Sequence, residues 1–149
     1  MIHGRKELLV TTLKTVEDLD VYRKARAFRC DVAVFCKTLP QQEAFRLKDQ
    51  MLRASRSVTA NIVDGFGRHH HQENSQFCRQ ARGSLVEMCD HLNCALDEGY
   101  LDESRYGALR KTFEDTLHVL NGYINYLQRC ASNGVPRNEQ PATSNSPSA

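Results

Sequence analysis

The sequence predicts an all-α protein, an antiparallel up-down-up-down four-helix bundle, and three observations carry that reading. Apolar residues recur every three or four positions through four stretches between residues 19 and 130, the spacing of one face of a helix. Breakers stand between those stretches, at Pro40, at Gly65 and Gly67, and at Gly99. No stretch alternates as a strand would, and valine and isoleucine are sparse. A chain of 149 residues has room for one domain with a substantial core. Helices of roughly 18 to 28 residues joined by short connections pack as antiparallel neighbours.

Residues 1–18 read as an N-terminal extension. Its Leu8, Leu9, Val10 and Leu13 suit packing on the bundle or on a neighbouring subunit. Residues 19–130 form the bundle. Helix one begins near Asp18 to Asp20 and runs to about Thr38, with Tyr22, Ala25, Phe28, Val32, Phe35 and Leu39 on its inner face. Leu39–Pro40 ends it, because the residue before proline is driven out of the helical region. Helix two runs from about Gln42 to Asp64, Phe45 and Leu47 leading into Met51, Ala54, Val58 and Ile62. Gly65 and Gly67 supply the free backbone that a helix exit needs. After the connector Arg68-His69-His70-His71, helix three spans about Gln72 to Glu98. It turns Phe77, Ala81, Leu85, Met88, Leu92 and Ala95 inward and stops at Gly99. Asp102 caps helix four, whose inner face carries Tyr106, Leu109, Phe113, Leu117, Leu120, Ile124 and Leu127. Residues 131–149, rich in Asn, Ser, Pro and Thr, read as a disordered tail.

Several function classes recede on composition. There is no run of eighteen apolar residues, and Leu8-Leu9-Val10 is too short for a secretory leader, so a cytoplasmic protein without a membrane span is expected. The six cysteines, Cys30, Cys36, Cys78, Cys89, Cys94 and Cys130, include no C-x-x-C pair and read as reduced thiols serving as small core hydrophobes. Phosphate loop, nucleophile elbow and HExxH helix are all missing, so neither an enzyme nor a cofactor is expected. Three adjacent histidines rarely converge on one ion. Glu87 with His91 and Glu114 with His118 are common i, i+4 helix pairs before they are metal ligands, and no metal is expected.

Charge is the better lead. Residues 19–68 hold Arg23, Lys24, Arg26, Arg29, Lys37, Arg46, Lys48, Arg53, Arg56 and Arg68 against half as many carboxylates, Asp20, Asp31, Glu43, Asp49 and Asp64. Residues 69–130 lean acidic. A dipolar molecule with a basic first hairpin suits an anionic partner or head-to-tail self-association. Arg23, Lys24, Arg26, Arg29, Arg46, Lys48, Arg56 and Arg68 are the candidate nucleic-acid contacts. With few aromatic residues outside the core, phosphates and shape are the expected targets.

A second constellation is polar. Arg53, Ser57, Asn61 and Asp64 recur on one stripe of helix two, beside an apolar seam of Ala54, Val58 and Ile62. Antiparallel pairing brings Gly83, Ser84 and Glu87 of helix three near that stripe. A structural or subunit-facing hydrogen-bond network is the expected role, with Glu87 paired to Arg53 and Gly83 allowing close helix approach.

The stretch Arg53-Ala54-Ser55-Arg56-Ser57-Val58-Thr59-Ala60-Asn61-Ile62-Val63-Asp64-Gly65 resembles a signature, Arg-Ala-x-x-Ser-Ile-Pro-Ala-Asn-Ile-Ala-Glu-Gly, of a family of bacterial four-helix-bundle proteins. That family was first described as the product of intervening sequences within 23S ribosomal RNA genes. Leu19-Asp20-Val21-Tyr22-Arg23-Lys24-Ala25 is similar to the family's opening motif, and Pro40, Glu43, Leu47 and Gln50 stand where its second helix begins. Gly65-Phe66-Gly67-Arg68 matches its glycine-rich exit. Phe77, Ala81, Gly83-Ser84-Leu85 and Glu87 match its third helix. Thr59 replaces a proline, Val63 an alanine and Asp64 a glutamate, and Asn74 sits where an aromatic residue is common. The resemblance implies a ring-shaped homopentamer. It also points to the accessory protein of diversity-generating retroelements, similar in shape, which binds its reverse transcriptase and nucleic acid. The expected function is a non-catalytic, oligomeric protein that binds structured RNA or another nucleic acid. The competing expectation is a homo-oligomeric scaffold that binds another protein.

Overall fold

A computed structural model describes residues 15–134, so most of the N-terminal extension and of the tail lies outside the described residues. Within that range the chain forms four α-helices and no strand: α1 (Asp20–Cys36), α2 (Leu47–Phe66), α3 (His71–Asp97) and α4 (Glu103–Asn133). Short 3-10 turns at Val16–Asp18 and Gln41–Glu43 precede α1 and α2. Each helix packs on the next and α4 closes on α1, a square bundle.

The pairings run in opposite directions. Ser57 meets Ser84 and Gly65 meets Asn74, so numbering rises along α2 as it falls along α3. Arg82 reaches Asn121 and Tyr106 reaches Asn93 between α3 and α4. Phe28 faces Phe113, and the Arg105 guanidinium covers Phe35, between α1 and α4. The core follows from the helical period: Phe28, Phe35, Met51, Ile62, Leu85, Met88, Leu92 and Leu120 are fully buried.

Helix ends test the sequence reading most severely. Asp102 accepts the Arg105 N–H at 2.7 Å and caps α4, as its residue type leads one to expect. Gly99 takes up φ 78° directly after α3, a conformation that glycine adopts without steric cost. Helix α1 stops at Cys36, two residues before Thr38, because the Thr38 hydroxyl and N–H both donate to the Phe35 carbonyl. Helix α4 continues past residue 130 to Asn133, where Gly134 at φ 65° donates its N–H to the Cys130 carbonyl.

Two expectations fail for stated reasons. Helix α2 begins at Leu47 rather than near Gln42, since residues 41–43 wind as a 3-10 turn instead. That turn buries Glu43, whose carboxylate accepts the Leu47 N–H at 3.2 Å and the Tyr100 hydroxyl at 3.0 Å. Leu47 enters the core, and Phe45 swings out to 93% exposure instead of leading the inner face. Gly65, in turn, is not an exit residue. It lies inside α2, and a Cβ there would stand 2.5 Å from Asn74 Oδ1 and 3.0 Å from both the Asn74 carbonyl and Phe77 Cβ. Gly65 lets α3 come close; neither it nor Gly67 has positive φ.

Candidate nucleic-acid interface

At about 100° of rotation per residue, Arg26, Arg29 and Lys37 form one edge of α1, with Ala33 between them. Lys48 and Arg56 stand with Leu52, Thr59 and Val63 on the facing edge of α2. The Arg29 guanidinium fixes the register by donating to Thr59 Oγ1 at 2.8 Å, and that hydroxyl donates onward to the Arg56 carbonyl at 3.1 Å. Lys48 and Arg56 both lie close enough to Cys36 of α1 to act on its thiol, although burial dominates and pushes it up to about 11. A furrow between the two helices is therefore walled by cations along roughly 16 Å, the rise over the eleven steps from Arg26 to Lys37.

None of the eight candidate contacts makes an ion pair among the described residues. The pairs that do form are Arg53–Asp49 at 3.6 Å, and on α3 and α4 His91–Glu87, Arg110–Glu114 and Lys111–Asp115 at 3.0–3.1 Å. Charge on the second hairpin is partly self-neutralised, whereas among the described residues Arg53 is the one cation of the first hairpin with a carboxylate partner.

The eight do not form one patch. Arg26, Arg29, Lys48 and Arg56 share the furrow, with Arg23 on the outer face of α1 beside it. Lys24 lies on the side of α1 that carries Phe28 and Phe35 toward α4. Arg46 stands at the α1–α2 connection. Arg68 sits at the opposite end of α2, its guanidinium 4.6 Å over the Phe77 ring.

The polar stripe also divides. Ser57 and Ser84 hydroxyls meet at 2.8 Å, and the Asn61 amide donates to the Ser57 carbonyl at 2.9 Å and to its hydroxyl at 3.1 Å. These half-buried groups clamp α2 to α3. Arg53 turns outward to Asp49 rather than to Glu87, and Glu87 instead holds the buried His91. Asp64 is exposed. So is Gly83, where a Cβ would meet nothing within 4 Å, so close approach within this chain does not account for that glycine.

Elsewhere the structure departs from simple pair rules. Glu114 bonds Arg110 rather than His118, and this hydrogen bond raises the Arg110 pKa further above its usual value. Arg110 also donates to Cys89 Sγ at 2.7 Å, a cross-helix contact with no sequence signal. Of the cysteines, Cys36, Cys78 and Cys130 are buried, while Cys30 lies on the surface. The histidine connector splits: His69 and His70 are exposed, and His71 opens α3 with its ring buried and Nε2 unbonded. Among the described residues no three His, Cys, Asp or Glu side chains are grouped to hold a metal ion. No helix among them is long and apolar enough to cross a membrane. A depression of about 360 Å³ between the start of α3 and the end of α4 is lined chiefly by Gln72, Ser75, Gln76, Arg79, Gln128 and Ser132.

The family model described as 23S rRNA-intervening sequence protein matches residues 17–122, from the 3-10 turn before α1 through two thirds of α4. The chain belongs to this family. The match takes in α1, α2 and α3 whole, α4 as far as residue 122, the furrow and the Ser57–Ser84 clamp. No curated protein matches the chain.

Proposed function

We propose that this member of the 23S rRNA-intervening sequence protein family is a non-catalytic, self-associating cytoplasmic protein that binds structured RNA through the α1–α2 furrow. The observation that carries the reading is the set Arg26, Arg29, Lys37, Lys48 and Arg56, gathered on one groove and paired to no carboxylate among the described residues. Unpaired cations at such spacing attract phosphates and gain free energy from released counterions. Their side chains project from two rigid helices, so the groove recognises backbone shape rather than base edges. Self-association is supported by the outward-facing Val34 and Val86, each at least 50% exposed and outside the furrow.

Fluorescence anisotropy with a stem-loop RNA, at several salt concentrations, tests the proposal. Contacts to as many as five phosphates give a slope of log K against log salt of about −3.5 to −4.5. Charge reversal at Arg26 and Arg56 lowers affinity and flattens that slope while the oligomer persists. Loss of the oligomer in those variants would reassign the furrow to subunit contact, and no binding even at low salt would favour the protein scaffold.

A further inference from the structure

Phe45 is 93% exposed, the most exposed large apolar side chain among the described residues. A phenyl ring in water is unfavourable by the area it leaves uncovered. Its surroundings are specific. Arg46 follows it and Lys48 lies one turn on; Lys37 closes the same end of α1. Glu43, the carboxylate nearest in sequence, is turned inward and held by the Leu47 N–H and the Tyr100 hydroxyl. The backbone around the ring is fixed: the Arg46 N–H donates to the Glu43 carbonyl and the Gln50 N–H to the Arg46 carbonyl.

We propose that Phe45 is a stacking platform for an unpaired nucleobase, placed at the mouth of the cationic furrow so that the base's flanking phosphates meet Arg46 and Lys48. This rests on the RNA-binding reading and narrows it. The preferred ligand has a single-stranded element, such as a bulge or loop, next to a paired stem. An exposed aromatic face accepts any base, because every base has a π-face, while adjacent cations fix the strand. Direction follows from charge. Asp97, Glu98, Asp102 and Glu103 crowd the α3–α4 turn at this end of the bundle. A strand stacked on Phe45 therefore runs over α1 and α2.

The chain has no tryptophan, so Phe45→Trp introduces a single indole at the proposed platform. The full-length variant is titrated with a bulged stem-loop RNA and with a fully paired duplex of the same length. Stacking predicts quenching of the indole by the bulged RNA and little change with the duplex. Phe45→Ala is expected to weaken the bulged RNA by about 5- to 100-fold, within the range for loss of one stacked base, and to leave duplex binding unchanged. Equal affinity of Phe45→Ala and the parent for both RNAs would overturn the platform while leaving the furrow reading intact. Failure of the parent to bind either RNA would sink both. A smaller assembly for Phe45→Ala in sedimentation velocity would overturn it too, by making Phe45 a subunit contact.

Discussion

Replacing Gly65 by alanine sets two effects against each other, and the structure decides between them. Alanine favours a helix interior over glycine by about 1 kcal/mol. The new Cβ, however, meets Asn74 Oδ1 at 2.5 Å, and the Asn74 carbonyl and Phe77 Cβ at 3.0 Å. Asn74 cannot simply rotate away: its amide donates to the Tyr123 hydroxyl at 3.1 Å, and its Oδ1 accepts the Cys78 thiol. The carbonyl belongs to the α3 backbone, so relief requires α2 and α3 to separate. Overpacking of this kind costs about 1–3 kcal/mol, and loss of the Asn74–Tyr123 bond about 1 kcal/mol more. The net expectation is a destabilisation of about 1–3 kcal/mol. It would be read by circular dichroism at 222 nm as a lower urea midpoint and a melting temperature reduced by about 3–10 °C. Gly83→Ala is the control. Its site is exposed and open, so the propensity gain of about 1 kcal/mol should appear as stabilisation. A Gly65→Ala protein as stable as the parent would refute the close-approach reasoning.

Other expectations follow from named contacts. Glu43→Ala should cost about 2–3 kcal/mol, since it strands the Leu47 N–H and the Tyr100 hydroxyl, and a double-mutant cycle with Tyr100→Phe should show coupling near 1 kcal/mol. Burial pushes the Cys36 and Cys78 thiols up to about 11 and about 12, from 9.0 in the unfolded chain. The folded state thus retains protons that the unfolded state releases. The stability gained is complete below pH 9 and is lost as pH rises through 11 and 12, by up to about 1.4 kcal/mol per pH unit for each thiol. Urea titrations above pH 9 should show that fall, reduced in Cys78→Ala. With a thiol-reactive dye at pH 8, Cys30 should react in the native state while Cys36 and Cys78 wait for unfolding.

The four helices were legible because burial imposes a 3.6-residue period, and Ala25, Phe28, Val32, Leu85 and Leu120 announce it directly. Asp102 and Gly99 were legible because a cap and a left-handed turn each demand particular residue types. Phe45 was not. A 3-10 turn over residues 41–43 delays α2 to Leu47, so Phe45 precedes the helix and escapes its 3.6-residue period. Nor could the sequence separate a glycine kept for backbone freedom from one kept for space, so the close approach expected at Gly83 falls at Gly65 instead. Arg53 had acidic neighbours both along its helix and across the groove. The pairing with Asp49 depends on side-chain direction, which periodicity does not encode. The furrow was half visible: its cations were countable, but their division among two helix edges, the outer face of α1 and the bundle ends needed the fold.

The tight seat of Gly65 against Asn74 also bears on the order in which the molecule assembles. Only residues 67–70 separate α2 from α3, and the interface between these helices is the most extensive of the four. Closing so short a loop costs little chain entropy and brings together groups nearby in sequence. The Phe28–Phe113 contact between α1 and α4, by contrast, joins opposite ends of the bundle's sequence. The α2–α3 hairpin is thus the expected folding nucleus, with α1 and α4 docking onto it. Substitutions at Ile62 or Leu85 should slow folding, whereas those at Phe113 should chiefly hasten unfolding.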